Sequence, residues 1–155
     1  MTAAWCLIQV MTKTLYTAEA TVVGGRGGHG HTSDRALDVQ LRVPPELGGD
    51  GGGTNPEQLF AVGFAACFDG ALGTVARRSR EDLGNPRIDS KVNLIARPDR
   101  TFTIAVELAV TLPTIEDPAE AVRIVAGAHK VCPYSNATRG NIDVKLTANG
   151  HPVAH

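Results

Sequence analysis

The apolar segment that follows Asn55-Pro56 constrains the fold of this chain more than any other feature, because it predicts one long helix. Asparagine is a favoured helix N-cap, and proline is favoured at the first helical position. Gln58 stands where its side chain can complete a capping box. The apolar pattern continues to about Arg78, so the helix is predicted to span residues 56–78.

The predicted helix has two neighbouring faces of different character. One face groups Phe60, Phe64, Cys67, Phe68, Ala71 and Val75, and the next is a stripe of small residues, Gly63, Ala66, Gly70 and Gly73. Each glycine costs about 0.8 to 1 kcal/mol of helix stability relative to alanine, so such a stripe favours close approach by another backbone. We expect this helix to cross another helix, and a second copy of the chain is one candidate. The aromatic face has two interpretations, core packing and the apolar wall of a pocket around the thiol.

The segments on either side of this helix predict strands and one further helix. Apolar patterns predict strands at 14–23 and 37–43, joined by a flexible glycine-rich connection at 24–31. Strand-forming residues at 87–96 and 101–112, with the turn Pro98-Asp99-Arg100 between them, predict a hairpin. A second helix is predicted from Asp117-Pro118 to the residue before Cys132-Pro133, and a last strand at 141–148. This order lacks the strict alternation of a doubly wound sheet, so the predicted fold class is α+β.

Length and composition limit what the chain can be. With 155 residues, of which 43% are hydrophobic, the chain is long enough for one domain with a real core and too short to suggest two. Fifteen basic and sixteen acidic residues, without a basic run, disfavour nucleic acid as a partner. Three cysteines in a domain of this size disfavour a secreted disulfide scaffold, so we expect a reducing cytoplasm.

The first ten residues predict an extension outside the domain. Residues 3–10 are apolar but carry neither a basic leader nor a cleavage signal, and they are far shorter than the roughly 20 residues that span a bilayer. We therefore expect no membrane partner. Residues 1–10, with Cys6, are predicted to be a disordered extension, and residues 11–155 are predicted to form a single domain.

The other two cysteines stand in unusual contexts, Cys67 inside Ala-Ala-Cys-Phe and Cys132 inside Val-Cys-Pro-Tyr-Ser-Asn. A thiol with a pKa of about 8.5 is only a few per cent thiolate at neutral pH, and the thiolate is the nucleophile. A reactive Cys67 therefore needs a fixed positive charge nearby, and lowering its pKa by two units takes about 2.7 kcal/mol. The candidate arginines are Arg26, Arg77, Arg78 and Arg139.

Glu57 is a candidate to orient such an arginine through a bidentate contact. It stands ten residues before Cys67, which is about 15 Å along a straight helix. A part for Glu57 in chemistry at Cys67 therefore requires a broken helix or a contribution from the other subunit.

Cys132 is predicted at the C-terminal end of a helix, where the helix dipole disfavours a thiolate. It therefore suits a resolving role after attack by Cys67. The alternative is that both cysteines are small buried hydrophobic residues. A zinc site built from His129 and Cys132 with Cys67, His29 or His31 is disfavoured because a second closely spaced ligand pair is missing, so we expect no bound metal.

Six segments carry motifs of a known family. They are Leu15-Tyr16-Thr17-Ala18, Gly24-Gly25-Arg26, Glu46-Leu47-Gly48-Gly49, Gly53-Thr54-Asn55-Pro56-Glu57-Gln58-Leu59-Phe60, Ala65-Ala66-Cys67-Phe68 and Val131-Cys132-Pro133-Tyr134-Ser135-Asn136-Ala137-Thr138-Arg139-Gly140-Asn141-Ile142. In these motifs the chain resembles the organic hydroperoxide resistance (Ohr) branch of the Ohr/OsmC superfamily. The sequence departs from the family in its N-terminal extension and in the high glycine content around Arg26.

This resemblance implies a thiol peroxidase in which Cys67 reduces an organic hydroperoxide, becomes a sulfenic acid and then forms a disulfide with Cys132. It implies that Arg26 activates the thiolate and positions the peroxide, and that Glu57 holds Arg26. The family's reductant is a dihydrolipoyl group on a lipoylated protein, so no bound cofactor is expected. Family members are intertwined homodimers in which antiparallel sheets wrap long central helices and the active sites lie at the subunit interface.

The sequence is compatible with two functions. As a peroxidase, the protein would use Phe60, Phe64 and Phe68 to favour alkyl or fatty-acid hydroperoxides over hydrogen peroxide. The alternative is a non-catalytic redox-sensing or lipid-binding dimer that uses the same cysteines and cleft without turnover.

Overall fold

The structure, a computed structural model, describes residues 13–155. The predicted disordered extension at residues 1–10, with Cys6, lies outside the described residues. The chain divides into two compact units, the first ending at Gly53 and the second spanning Thr54–His155. The prediction of a single domain over residues 11–155 stays a prediction.

The first unit contains a three-stranded antiparallel sheet in the order β1-β2-β3, formed by Ala20–Val23, His29–Thr32 and Asp38–Gln40. The prediction of a flexible connection at 24–31 is wrong in its second half, because that half forms β2. Gly24 and Gly25 have positive φ angles of 82° and 57° and lead into a 3-10 turn at Gly25–Gly27. A Cβ atom at Gly28 would lie 1.8 Å from the carbonyl oxygen of Val23, so only glycine allows this tight return to the β1 edge.

The second unit begins with the predicted long helix, α1, which spans Pro56–Ser79. The Asn55 side chain accepts a hydrogen bond from the backbone N–H of Gln58 at 2.9 Å, so the predicted N-cap is confirmed. The Gln58 side chain accepts a bond from the Thr54 hydroxyl instead. Arg80, with a φ of 58°, ends the helix by donating its backbone N–H to Ala76.

By length and composition α1 is able to cross a membrane, a property that it shares with the core helices of soluble domains. Phe64, Phe68 and Leu72 of α1 are fully buried in the second unit. Burial of these large side chains identifies α1 as a core helix.

The sheet of the second unit contains four strands in the order β4-β5-β6-β7. They span Arg87–Ala96, Phe102–Thr111, Val144–Ala148 and His151–Val153. The predicted hairpin is confirmed as β4 and β5, whose register pairs Arg87 with Thr111 and Ala96 with Phe102. β6 runs parallel to β5, so the sheet is mixed. The sequence did not predict β7, which follows a tight turn at Asn149 and Gly150, both with positive φ.

Two further helices meet at Cys132. The predicted second helix is α2, which spans Pro118–Val131 and has Asp117 as its N-cap. The short helix α3, Pro133–Thr138, was not predicted. Together with the two sheets these helices confirm the α+β class. The core joins α1 and α2 to the inward side chains of the sheet, including Phe64, Phe68, Leu72, Val106, Leu108, Val110, Ile124 and Val125.

Candidate thiol active site

The second unit brings the two predicted cysteines together. The Cys132 thiol donates to the Cys67 sulfur, with 3.5 Å between the two sulfur atoms, and both cysteines are free thiols. A disulfide has an S–S length of about 2.05 Å, so the sulfurs need to approach by only about 1.5 Å to form a bond. Cys67 is half-buried whereas Cys132 is fully buried. A substrate therefore has access to Cys67 before Cys132.

Cys132 is held by backbone hydrogen bonds on both sides. Its N–H donates to Ala128 at 2.9 Å and completes the last turn of α2, and its carbonyl accepts from Asn136 at 3.0 Å as α3 begins. The expectation that Cys132 lies only at a helix C-terminus is therefore incomplete, because the N-terminal end of α3 starts at the next residue. The dipole of α2 alone does not decide which thiol attacks first, and the difference in exposure is the better guide.

Tyr134, to which the sequence assigned no role, packs beside the cysteine pair. Its ring centroid lies 5.7 Å from that of Phe60 and 5.6 Å from that of Phe64. A Cβ atom on Gly63 would lie only 3.2 Å from the Tyr134 hydroxyl oxygen. The absence of a side chain at Gly63, in the small-residue stripe, therefore leaves space for the Tyr134 ring of α3. Proximity to Cys132 in the sequence was the one signal that pointed to Tyr134.

The contacts within the second unit disfavour the thiolate form of Cys67. Burial raises the pKa of the Cys67 thiol above its ordinary value, and contact with Cys132 acts in the same direction. The backbone N–H of Tyr134 bonds to the Cys67 sulfur and acts against both. A nucleophilic Cys67 thus needs a further stabilising charge.

Three of the four candidate arginines are poorly placed to supply that charge within the second unit. Arg77 and Arg78 lie ten and eleven residues beyond Cys67 on the same continuous helix, roughly 15 Å or more along its axis. Arg139 donates one bond to the carbonyl of His129 at 2.7 Å and one to the Asn136 side chain at 2.6 Å.

The predicted activating pair stands on two different units. Arg26 lies in the 3-10 turn of the first unit, whereas Glu57 is half-buried in the first turn of α1. Because α1 is continuous from Glu57 to Cys67, a broken helix does not bring these two residues together. The roles of Arg26 and Glu57 remain predictions.

The three phenylalanines of α1 differ in burial. Phe64 and Phe68 are fully buried in the core, whereas Phe60 is half-buried and packs against the core edge-on to Phe64. Core packing therefore accounts for Phe68, and Phe60 is the best placed of the three to contact a ligand. A substrate-binding role for any of them remains a prediction.

A zinc site gains no support in residues 13–155. Within that range no three side chains of His, Cys, Asp or Glu lie close enough together to hold a metal ion. His129, one of the residues considered as a ligand, bonds to Ser135 instead.

Comparison with known proteins identifies the family to which this chain belongs. A sequence model of the OsmC-like protein family matches residues 49–147, which include Glu57 and both cysteines. The fold is shared with solved members of the superfamily. The crystal structure of an organic hydroperoxide resistance protein from Legionella pneumophila superposes with a TM-score of 0.83 and 49% identity, over 86% of this chain and 97% of the other.

Two further relatives define the branch. An organic hydroperoxide resistance protein of Xanthomonas axonopodis pv. citri (strain 306) is 56% identical over 137 residues, which cover 87% of this chain and 95% of the relative. The crystal structure of OhrB of Bacillus subtilis has a TM-score of 0.79 and 44% identity, over 86% of this chain and 98% of the other. The chain belongs to the organic hydroperoxide resistance branch of the OsmC-like family, as its motifs predicted.

Proposed function

We propose that the protein is a cysteine-based peroxidase that detoxifies organic hydroperoxides by reducing them to alcohols. The observation that carries this proposal is the pair of free thiols 3.5 Å apart, of which Cys67 is the accessible member and Cys132 the buried one. The names of the relatives, which refer to resistance to organic hydroperoxides, point to the same substrate class.

The reaction follows from thiol chemistry. The Cys67 thiolate attacks one peroxide oxygen, the O–O bond breaks, and the second oxygen leaves as an alkoxide that takes up a proton to give the alcohol. Cys67 is left as a sulfenic acid. The Cys132 sulfur then attacks the Cys67 sulfur, the S–O bond breaks, and the hydroxide leaves as water with the thiol proton of Cys132. One hydroperoxide is reduced for each disulfide formed.

Arg26 supplies the positive charge in this proposal. A guanidinium beside the sulfur stabilises the thiolate and also the charge that develops on the leaving alkoxide. Cys67 needs such a charge because burial raises the pKa of its thiol. The other candidate arginines are distant from Cys67 or bonded elsewhere. Glu57 holds Arg26 by a carboxylate contact.

The aromatic side chains beside the thiols favour an apolar substrate. Phe60, Phe64 and Tyr134 form one cluster with ring centroids 5.6 to 5.9 Å apart. An alkyl or fatty-acid chain gains by leaving water for such a surface, whereas hydrogen peroxide does not. We assign the contact with the substrate to Phe60 first, with Phe64 and Phe68 behind it.

A dihydrolipoyl group on a lipoylated protein is the proposed reductant. It donates two electrons and two protons to the Cys67–Cys132 disulfide and is itself oxidised to the cyclic disulfide. No bound cofactor takes part in this cycle. Such a cycle needs a compartment in which thiols stay reduced, so we place the protein in the cytoplasm.

The working unit is proposed to be a homodimer. The small-residue stripe of α1 is exposed at Ala66 and Gly70, and the neighbouring Val62 is 71% exposed. Among residues 13–155, no atom would lie within 4 Å of a Cβ atom placed at Gly70. Apolar and glycine-rich surface on a central helix suits close contact with the same helix of a second copy.

A turnover assay tests the peroxidase directly. The full chain is incubated with cumene hydroperoxide and dihydrolipoamide recycled by lipoamide dehydrogenase, and NADH oxidation is recorded. We expect turnover for the unaltered protein and none for Cys67→Ser, with slower turnover when thioredoxin or glutathione replaces dihydrolipoamide. Stoichiometric oxidation without turnover would favour a redox sensor, and a fully active Cys67→Ser variant would overturn the assignment.

A further inference from the structure

Two buried polar side chains flank Cys132 at equal spacing. His129 lies three residues before it on α2 and is 3% exposed, and Ser135 lies three residues after it on α3 and is fully buried. Nδ1 of His129 and Oγ of Ser135 are 3.0 Å apart, a hydrogen bond that joins the two helices across the cysteine.

An imidazole is an unexpected choice for this position. The buried face of α2 is otherwise apolar and consists of Ala121, Ile124, Val125 and Ala128. Among the described residues Nε2 of His129 has no hydrogen-bond partner, so the side chain leaves one buried polar atom unsatisfied. A leucine at this position would have no unsatisfied nitrogen, but it could not form the hydrogen bond to Ser135.

The charge state of His129 supports this role. Burial lowers the pKa of His129 to about 4, and electrostatic interactions with His155 and Arg139 act in the same direction. The His155 ring packs edge-on at 4.5 Å, and Asp143 lines the same small cavity. His129 is therefore neutral at neutral pH and binds Ser135 as an uncharged group.

A backbone contact reinforces the same corner. Arg139, just beyond α3, donates to the carbonyl oxygen of His129 at 2.7 Å. Two contacts therefore hold the last turn of α2. Ser135 links it to α3, and Arg139 links it to the residue that follows α3. Cys132 lies inside the closed corner.

We propose that His129 is a positioning residue for disulfide formation. Its bond to Ser135 fixes the corner between α2 and α3 and so keeps the Cys132 sulfur in line with Cys67. This inference rests on the proposed function, in which Cys132 attacks the sulfenic acid of Cys67. Loss of the bond leaves the first attack on peroxide intact and slows the second step, because a displacement of about 1 Å costs up to 100-fold in rate.

Rapid-quench mass spectrometry after one equivalent of cumene hydroperoxide separates the two steps. Dimedone traps the sulfenic acid of Cys67, and the disulfide is counted directly. For His129→Leu and for Ser135→Ala we expect an unchanged first step and disulfide formation slowed roughly 10- to 100-fold. His129→Asn, which keeps a hydrogen-bonding group, should recover most of the rate, and His151→Leu, an exposed control on β7, should change neither step.

An equilibrium with glutathione separates failure of this inference from failure of the proposed function. The disulfide content of Cys67 and Cys132 in reduced and oxidised glutathione reports how well the corner brings the sulfurs together, and it needs no peroxide. We expect His129→Leu to lower that equilibrium constant about tenfold, even if the unaltered chain proves not to be a peroxidase. Equal effects on both peroxide steps, or an unchanged rate and equilibrium in His129→Leu and Ser135→Ala, would overturn the role of His129. Ser135→Ala preserves the test if His129→Leu does not fold.

Discussion

Replacement of Gly70 by leucine should have opposite effects on stability in a monomer and in a dimer whose α1 helices are in contact. In the part of the single chain that the structure describes, a Cβ atom at Gly70 meets nothing within 4 Å, and the position is exposed. Leucine is a far better helix former than glycine, so an uncovered site predicts a gain of about 0.8 to 1 kcal/mol in the free energy of unfolding.

In a dimer, the same substitution is expected to lower the free energy of unfolding. If the α1 helices of two copies approach at this stripe, the leucine side chain enters a space that holds only a hydrogen atom. Overpacking of this kind costs about 1 to 3 kcal/mol at each site, and a symmetric interface meets the change twice, for roughly 2 to 6 kcal/mol per dimer. The loss exceeds the gain in helix propensity, so Gly70→Leu should weaken the dimer.

Light scattering after size exclusion measures the outcome. The chain has a mass of 16.3 kDa, so the unaltered protein should elute at about 33 kDa, and Gly70→Leu should shift toward the monomer at micromolar concentration. Ala119→Leu adds similar bulk at an exposed position on α2 and should leave the mass unchanged. A Gly70→Leu protein that stays dimeric and unfolds at higher urea would refute the assignment of this face to the interface.

The site carries three further predictions. The folded chain keeps His129 neutral down to about pH 4, whereas the unfolded chain gains a proton at this histidine below about pH 6.5. The free energy of unfolding should therefore decrease by at most roughly 3 kcal/mol as the pH falls from about 6.5 to about 4. Urea unfolding of His129→Asn should lose this part of the pH dependence, and an unchanged slope would contradict burial of a neutral imidazole. Cys132→Ser should consume one equivalent of hydroperoxide, accumulate sulfenic acid at Cys67 and then stall, whereas sustained turnover would exclude Cys132 as resolver. Phe60→Ser should lower kcat/KM for cumene hydroperoxide more than for hydrogen peroxide, and an unchanged ratio would remove Phe60 from the substrate site.

Local sequence signals predicted the elements that depend on local chemistry. The start of α1 follows from a capping side chain and a proline, and the start of α2 from Asp117-Pro118, and both are where the sequence placed them. The β4–β5 hairpin likewise follows from two strand-forming segments with the turn Pro98-Asp99-Arg100 between them. Each of these signals acts within a few residues, so it can be read without the rest of the fold.

The missed elements depend on contacts between distant parts of the chain. β2 contains glycine and histidine and has little strand propensity, and it forms because the glycine turn before it brings it back to β1. β7 exists only because β6 offers an edge for pairing. α3 has six residues, too few to be stable alone, and it depends on the packing of Tyr134 and Ser135.

The proximity of the two cysteines was expected from the sequence, but the side chains packed around them were not. The motifs singled out Cys67 and Cys132, and the structure places their sulfurs within 3.5 Å. The packing of Tyr134 over Gly63 and the bond between His129 and Ser135 require three-dimensional proximity that spacing does not reveal.

A single turnover tests the central claim most directly. The reduced chain, with Cys6→Ser to remove the third thiol, receives one equivalent of cumene hydroperoxide, and the products are analysed by peptide mass spectrometry. We predict one equivalent of cumyl alcohol and one Cys67–Cys132 disulfide per chain, reversed by dihydrolipoamide. Unreacted hydroperoxide with both thiols still reduced would contradict a peroxidase built on this cysteine pair.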